Sequence, residues 1–314
     1  MFLSILLLLV GFVLLIKGAD FFVDGSSSVA KLIGIPGFVI GLTVVAMGTS
    51  APEAAVSISA GLKGSNEIAV SNVIGSNIFN LLVVAGICAV IKPYKIEHEL
   101  LRRDFPVNVV VSVVLLLMAL ASSRISRFNG ALMLFLFIVY IAYIVYVAFK
   151  NRETQDSEDV KTMSPLLSVI AIVGGLAAVI FGGDMVVDNA TAIAQELGWS
   201  ETFIGLTIIA IGTSLPELVT SIVAARKGES GLAMGNVIGS NIFNIMLILG
   251  LSSSIHPIPI DTNGIINIGI LIGVTALIYV ACLIKKGMGR VVGIASVLGY
   301  AGYTAYLLLT TVSA

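Results

Sequence analysis

The sequence predicts an all-α integral membrane protein with ten transmembrane helices, arranged as two inverted-topology repeats of five. Only 11% of its residues are charged and 58% are hydrophobic, whereas a soluble domain carries about 25% charged residues. Apolar runs recur along all 314 residues, and each approaches the roughly 20 residues that cross a bilayer. A long segment of the first half also returns in the second half at a constant offset of 164 residues.

The apolar runs are continuous and do not alternate with period two, so they favour helices over a β-barrel. They predict ten spans, at residues 2–22, 36–61, 68–91, 104–122, 129–149, 165–187, 201–225, 231–255, 264–284 and 290–311. No basic residue precedes the first run, and the first lysine, Lys17, comes at its end. We therefore interpret this run as a retained helix and not as a secretory signal peptide.

The longest polar stretch, 151–164, is short and acidic. It predicts a solvated linker between a first half, 1–150, and a second half, 165–314. The connections after odd-numbered helices hold 14 of the 17 Lys and Arg residues, and those after even-numbered helices hold 3. The positive-inside rule then places the linker in the cytoplasm and both termini outside. Because each half has five helices, the second half must run inverted.

The internal repeat covers the second and third helices of each half, about 37–91 and 201–255. In the ungapped alignment of 37–93 with 201–257, 28 of 57 positions are identical. Gene duplication with shared packing needs would explain repeated apolar positions. Polar groups repeated in mid-membrane instead indicate the midplane site of a secondary transporter.

The second helix of each half contains Gly-Thr-Ser-x-Pro-Glu, at 48–53 and 212–217. Proline lacks an amide hydrogen and clashes with the carbonyl four residues earlier, so each helix should kink or break. Carbonyls freed there, including those of Ala46 and Ala210, would need a partner, and a cation is one such partner. The motif also places hydroxyl and carboxylate groups on one face of the turn: Thr49, Ser50 and Glu53, and again Thr213, Ser214 and Glu217.

The two glutamates are the costliest groups in these helices. A mid-membrane charge costs roughly 2.5–3.5 kcal/mol on insertion scales. The nearest basic residues in sequence, Lys63 and Arg226, fall at helix ends. Either Glu53 and Glu217 are protonated and bond to neighbouring backbone, or they bind cations from solution.

The third helix of each half carries a polar stripe with a spacing of four residues. Its members are Asn72, Ser76 and Asn80, repeated as Asn236, Ser240 and Asn244. We expect Asn80 and Asn244 to be cation ligands. For Asn72, Asn236 and the off-stripe Asn77 and Asn241, interhelical hydrogen bonding and direct ligation both stay open. Small residues at Ser71/Gly75 and Gly235/Gly239 should let helices approach closely.

The donors of this predicted site are all hard oxygen atoms, which suit Ca²⁺ and Na⁺. No thiol or imidazole is among them, which argues against zinc, copper or nickel. Two ionised glutamates would neutralise one Ca²⁺ or two Na⁺. We expect no cofactor and no nucleic-acid partner. We also expect no enzymatic activity, because the site has no nucleophile–base pair, protease-type metal motif or cofactor fingerprint.

These segments resemble the two alpha-repeats of the cation/Ca²⁺ antiporter superfamily, in particular its sodium/calcium exchangers of prokaryotic type. The resemblance extends over the whole chain and implies exchange of Na⁺ for Ca²⁺ by alternating access, with helices one and six sliding across a rigid core. It implies that Glu53 and Glu217 bind Ca²⁺ directly and that Asn80 and Asn244 are the central polar pair. The Na⁺ ligands that it implies are Ala46, Thr49, Ser50, Ser76, Ala210, Thr213, Ser214 and Ser240.

Some relatives carry aspartate at the position of Asn244. Asparagine at both central positions is similar to the potassium-independent exchangers, but it lowers the negative charge and leaves the stoichiometry open. The short linker lacks the large Ca²⁺-sensing insert of animal exchangers, so we expect no cytosolic Ca²⁺ regulation.

Two other transport mechanisms stay open: a H⁺/Ca²⁺ (or other cation/Ca²⁺) exchanger of the same fold, and a cation channel. We expect a multi-pass protein of a prokaryotic plasma (inner) membrane. Lipid should surround it, and it should need no obligatory protein partner, so that a monomer would suffice.

Overall fold

The computed structural model describes residues 1–62, 66–150, 162–198, 208 and 210–312, and these residues are mostly helical. The first half contains α1 (Phe2–Ile33), α2 (Gly37–Ile40), α3 (Ala46–Thr49), α4 (Ala51–Leu62), α5 (Asn66–Phe79), α6 (Ala85–Ile91), α7 (Phe105–Ser122) and α8 (Arg127–Lys150). The second half contains α9 (Pro165–Glu196), α10 (Ala210–Gly212), α11 (Leu215–Lys227), α12 (Ser230–Phe243), α13 (Leu249–Ile255), α14 (Thr262–Lys285) and α15 (Arg290–Val312). The described residues include π-helical turns at Gly41–Val45, Asn80–Val84, Leu100–Asp104 and Asn244–Ile248. The third extends α7 at its start, and each of the others joins two neighbouring α-helices into a longer rod.

Seven rods in the described part of the chain are long and apolar enough to cross a bilayer. They are Phe2–Ile33, Ala69–Ile91, Leu100–Ser122, Arg127–Lys150, Pro165–Glu196, Ser230–Ile255 and Thr262–Lys285. The bent pair Gly37–Thr49 and Ala51–Leu62 makes an eighth if it is counted as one span. The predicted tenth helix is present as α15, and the predicted seventh begins at 201–207, outside the described residues. The chain is thus a multi-pass integral membrane protein.

The first and sixth helices extend beyond their predicted ends at residues 22 and 187, which were wrong. α1 continues to Ile33, where Gly34 ends it with φ 66°, and α9 continues to Glu196. Two aspartates near the predicted end of α1 are paired: the Lys227 Nζ lies 2.7 Å from Asp24 Oδ1 and 3.3 Å from Asp20 Oδ1. α1 therefore continues past its apolar run, with both aspartates beside Lys227 of α11.

The two long helices α1 and α9 pack backbone to backbone through glycines. A Cβ atom added to Gly175 would lie 2.5 Å from the Phe22 amide nitrogen, and one added to Gly18 would lie 2.8 Å from the Gly175 carbonyl oxygen. Such small residues allow helices to approach closely in a membrane. The pair also lies against the Gly-Thr-Ser segments, since Leu176 of α9 packs over Gly48 and Val187 packs over Gly212.

The most buried rods are Ala69–Ile91 and Ser230–Ile255, one from each half, and the other spans expose more of their apolar residues. At Gly239 an added Cβ would lie 2.7 Å from both the Cα atom and the carbonyl oxygen of Leu42. The predicted close approach at Gly235/Gly239 is therefore present, between the rod Ser230–Ile255 and the second helix of the other half. The polar stripes of the sequence lie on these central rods.

In the described part of the chain, two short strand pairs connect the halves. β1 (Tyr94–Lys95) pairs antiparallel with β4 (Gly287–Met288), and β2 (Arg124–Ile125) pairs with β3 (Ile258–Pro259). The first pair joins the connections after the third and ninth predicted helices, and the second pair joins those after the fourth and eighth. Each strand pair thus joins two predicted connections of the same parity, one from each half.

Candidate functional site

Each half interrupts its second helix at the Gly-Thr-Ser segment. In the first half the helix bends by 49° between Thr49 and Ala51. In the second half α10 ends at Gly212 and α11 begins at Leu215. Each glutamate lies in the first turn after its break, and both side chains are 0% exposed. The proline therefore produces the predicted bend and places a carboxylate at the start of the following helix.

Each break binds the carboxylate of the other half. The Ser50 hydroxyl donates to Glu217 Oε1 at 2.7 Å, and the Ser214 hydroxyl donates to Glu53 Oε1 at 3.1 Å. The other oxygen of each carboxylate, Oε2, is buried and has no hydrogen-bond partner. Within the described ranges, none of the ion pairs involves either glutamate. Two carboxylates thus come together in the interior without a basic partner.

The central asparagines show the same twofold pattern. Asn80 Nδ2 donates to Asn241 Oδ1 at 3.3 Å, and Asn244 Nδ2 donates to Asn77 Oδ1 at 3.0 Å. Both Asn80 and Asn244 are buried, and the Oδ1 atom of each has no hydrogen-bond partner. Each begins a π-helical turn, a feature that often occurs at functional sites.

Three further predicted residues, Thr49, Ser76 and Ser240, make hydrogen bonds through their side-chain hydroxyl groups. The Thr49 hydroxyl lies 3.1 Å from both the Val45 carbonyl oxygen and Asn236 Oδ1. Ser76 reaches Glu53 Oε1 at 3.5 Å, whereas its counterpart Ser240 reaches Asn236 Oδ1 at the same distance.

Two serines that were not predicted from the sequence also bond to the polar stripes. Asn72 Nδ2 donates to the Ser57 hydroxyl at 3.0 Å, and Asn236 Nδ2 donates to the Ser221 hydroxyl at 3.0 Å. Both bonds join the second and third helices of one half, so these asparagines act as interhelical donors in this structure. The signal was available, because Ser57 and Ser221 each lie four residues after a repeat glutamate.

The two breaks are not identical. The Ser50 amide donates to the Ala46 carbonyl at 3.0 Å, four residues back, whereas the Ser214 amide donates to Ile211, three residues back, at 3.1 Å. Thr49 is fully buried and bonded, whereas the Thr213 hydroxyl has no partner. The same Gly-Thr-Ser tripeptide thus makes different hydrogen bonds in the two halves.

The Ala46 carbonyl was predicted to lose its backbone hydrogen bond, but in the first half it keeps the bond from the Ser50 amide. The helix bends there without unwinding, so the Ser50 amide stays within reach and leaves the Ala46 oxygen one lone pair for a ligand. Ala210 begins the three-residue helix α10, and its side chain lies outside the described part of the chain.

Unpartnered buried oxygen atoms are the chemical signature of the site. They are Glu53 Oε2, Glu217 Oε2, Asn80 Oδ1, Asn244 Oδ1 and Thr213 Oγ1. Burying a polar group without a hydrogen bond costs roughly 1–3 kcal/mol, so such atoms need another partner. Carboxylate, amide and hydroxyl oxygens are the ligands of Ca²⁺ and similar hard cations. The arrangement can therefore hold a desolvated cation between the two halves.

Comparison with known proteins agrees with this chemistry. The family model described as sodium/calcium exchanger protein matches residues 3–146 and 167–309. The putative antiporter CaxA of Alkalimonas amylolytica is 38% identical over 99% of this chain and 100% of its own length. The sodium/calcium exchanger MaX1 of Methanosarcina acetivorans is 36% identical over 82% of this chain and 84% of its own.

Among solved structures, the sodium-calcium exchanger NCX_Mj, soaked with zero Na⁺ and Ca²⁺, superposes with a TM-score of 0.87. It is 32% identical, and the match covers 98% of this chain and 99% of that one. The family is one of transporters and not of enzymes. The chain belongs to the sodium/calcium exchanger family.

Proposed function

We propose that the protein is a secondary active antiporter that exchanges Na⁺ for Ca²⁺ across the membrane by alternating access. The observation that carries the proposal is the set of unpartnered oxygens on Glu53, Glu217, Asn80 and Asn244, all at least 99% buried. When both are ionised, the two carboxylates supply a charge of −2 in a region without a described basic partner. One Ca²⁺ or two Na⁺ would neutralise it, so the two kinds of cation can replace one another.

Ca²⁺ is assigned to the centre and Na⁺ to the flanks. In this proposal Glu53, Glu217, Asn80 and Asn244 bind Ca²⁺ with six to eight oxygen ligands, completed by neighbouring hydroxyls. Na⁺ binds at the breaks and the adjoining stripe, through Ala46, Thr49, Ser50, Ser76, Ala210, Thr213, Ser214 and Ser240. The Ser50–Glu217 and Ser214–Glu53 hydrogen bonds support this, because they place the hydroxyls of each break beside a carboxylate.

The proposed architecture is ten spans in two inverted halves, 1–150 and 165–314, joined by a cytoplasmic linker at 151–164. The two separate segments matched by the family model, 3–146 and 167–309, support this division. So do the hydrogen bonds between counterparts 164 residues apart, Asn77 and Asn241. The excess of Lys and Arg in odd-numbered connections favours termini outside the cytoplasm, and the proposed location is a plasma (inner) membrane.

Transport requires movement, because both glutamates are 0% exposed. The elements that cover the breaks are α1 and α9, through Phe22 and Leu176 at Gly48 and through Val187 at Gly212. A displacement of this helix pair along the central rods would open one break or the other to solvent. The backbone contact between α1 and α9 favours their moving together.

The test is Ca²⁺ uptake by proteoliposomes that contain the purified protein. Vesicles loaded with Na⁺ are diluted into Na⁺-free buffer with ⁴⁵Ca²⁺, beside vesicles with internal K⁺ and vesicles with an outward H⁺ gradient and no Na⁺. Glu217→Gln serves as the inactive variant. Uptake that requires internal Na⁺ and is lost in the variant is the expected result.

Three other outcomes would contradict Na⁺/Ca²⁺ exchange. Uptake driven equally by H⁺ would assign the chain to a proton-coupled exchanger of the same fold. Uptake that needs no counter-gradient would indicate a channel. Absence of uptake under every gradient, from protein that elutes as a single symmetric peak, would mean that Ca²⁺ is not the substrate.

A further inference from the structure

We infer that Asn77 and Asn241 are positioning residues: each fixes the amide of a central asparagine in the opposite half so that its oxygen, and not its nitrogen, faces the cation. The inference rests on the proposed function, because it concerns how that site presents its ligands. Neither residue is needed as a ligand itself. Both are 0% exposed and lie one turn before Asn80 and Asn244 on the central rods.

The amide orientation follows from a backbone carbonyl oxygen, that of Asn241. The side-chain amide of Asn77 lies 3.1 Å from the backbone carbonyl oxygen of Asn241. A carbonyl oxygen can only accept, so Asn77 must place its NH₂ group there. Its Oδ1 then points to Asn244, at 3.0 Å, and Asn244 must present its own NH₂ in return. The remaining Asn244 oxygen is left facing away from this chain of bonds, buried and without a partner.

The mirror chain makes the same assignment in the other half. Asn241 Nδ2 donates to the Asn77 carbonyl at 3.2 Å, and Asn241 Oδ1 accepts from Asn80 Nδ2 at 3.3 Å. Asn80 Oδ1 is then the unpartnered atom. Four side chains and two backbone carbonyls thus form two polarised chains that cross between the halves.

This arrangement matters because an asparagine that turns over presents two hydrogens to a cation. An amide has one acceptor and one donor end of nearly equal size, so packing alone does not distinguish them. Without its positioning residue, the central asparagine would populate both orientations, and one of them repels Ca²⁺ and Na⁺. The pairing is also specific, since Asn77 acts on Asn244 in the other half and not on Asn80, three residues away on its own rod.

The experiment is a set of double-mutant cycles read by equilibrium ⁴⁵Ca²⁺ binding to purified protein in Na⁺-free detergent. Asn77→Ala should raise the Kd for Ca²⁺ at least about twofold, because the apparent Kd is the intrinsic Kd divided by the fraction of protein whose central amide presents its oxygen, and that fraction falls to about one half when both orientations are populated. In an Asn244→Ala background, the same change should leave the Kd unchanged, because the residue through which it acts is gone. In an Asn80→Ala background, the full effect should remain.

In the mirror cycle, Asn241→Ala is combined with Asn80→Ala, where its effect should be lost, and with Asn244→Ala, where its full effect should remain. Each variant is first checked for a single elution peak and for its cation-free melting temperature. If one cycle gives misfolded protein, the other cycle is the test. Equal effects of Asn77→Ala in the two backgrounds would overturn the inference and indicate a packing role. Failure of the unmodified protein to bind Ca²⁺ would instead overturn the proposed function on which the inference rests.

Discussion

The contact between α1 and α9 predicts that neighbouring glycines differ sharply in their tolerance of alanine. A Cβ on Gly175 would lie 2.5 Å from the Phe22 amide nitrogen, 2.7 Å from the Gly18 carbonyl oxygen and 2.9 Å from the Phe22 Cα atom. All three are backbone atoms, which cannot rotate away. A Cβ on Gly174, one residue earlier, would meet nothing within 4 Å.

The size of the effect follows from these distances. Ordinary Cβ contacts begin near 3.4 Å, so Gly175→Ala must separate the helices by about 0.9 Å, and overpacking of this kind costs roughly 1–3 kcal/mol. Each alanine also gains about 1 kcal/mol of helix propensity, which cancels when the two variants are compared. Gly175→Ala should therefore be less stable than Gly174→Ala by roughly 1–3 kcal/mol, or a few degrees in melting temperature.

The assay is thermal unfolding in detergent, followed by the height of the monodisperse elution peak after heating. Gly174→Ala should equal or exceed the unmodified protein. If Gly175→Ala melts at or above Gly174→Ala, the backbones of α1 and α9 do not meet closely at Gly175.

The remaining predictions concern charge. Glu53→Gln or Glu217→Gln should abolish ⁴⁵Ca²⁺ uptake without changing the elution profile, because the counter-charge is halved; normal uptake in either variant would remove the carboxylates from the mechanism. Asn244→Asp should give a functional protein with altered cation affinity, and unchanged titrations with both Na⁺ and Ca²⁺ would place this residue outside the site. Lys227→Ala should lower stability by less than about 1 kcal/mol, since its pair with Asp24 is partly exposed; that loss should shrink in high salt, and a loss independent of salt would contradict the ionic origin.

The composition of the site was predictable because its chemistry is costly in a membrane. A carboxylate near a proline is unusual in an apolar helix. The same group recurs 164 residues later, which indicates that it has a function and did not arise by chance. The breaks at Ser50 and Ser214 follow from Pro52 and Pro216 by steric rules alone.

The partners were not predictable, because they depend on how the halves face each other. Nothing in the local sequence indicates that Ser50 bonds to Glu217 and not to Glu53, three residues away. The roles of Asn77 and Asn241 stayed open for the same reason. The C-terminal end of α1 was predicted too early because polar residues after an apolar run usually indicate a solvent-facing connection. Their partner, Lys227, is 203 residues from Asp24 in the chain, so the local sequence does not reveal it.

The unequal breaks bear on the energetics of the whole cycle. Since the Gly-Thr-Ser-x-Pro-Glu segments differ at only one position, 51 against 215, each conformation is intrinsically available to the other half. In the proposed alternating-access cycle, exchanging the two hydrogen-bond patterns would give a second state of similar intrinsic energy that opens to the opposite side of the membrane. Small energy differences then decide which state is populated, because about 1.4 kcal/mol changes the ratio of the two states tenfold. Residues outside the repeat, where the halves differ, would then set which face of the membrane the resting protein favours.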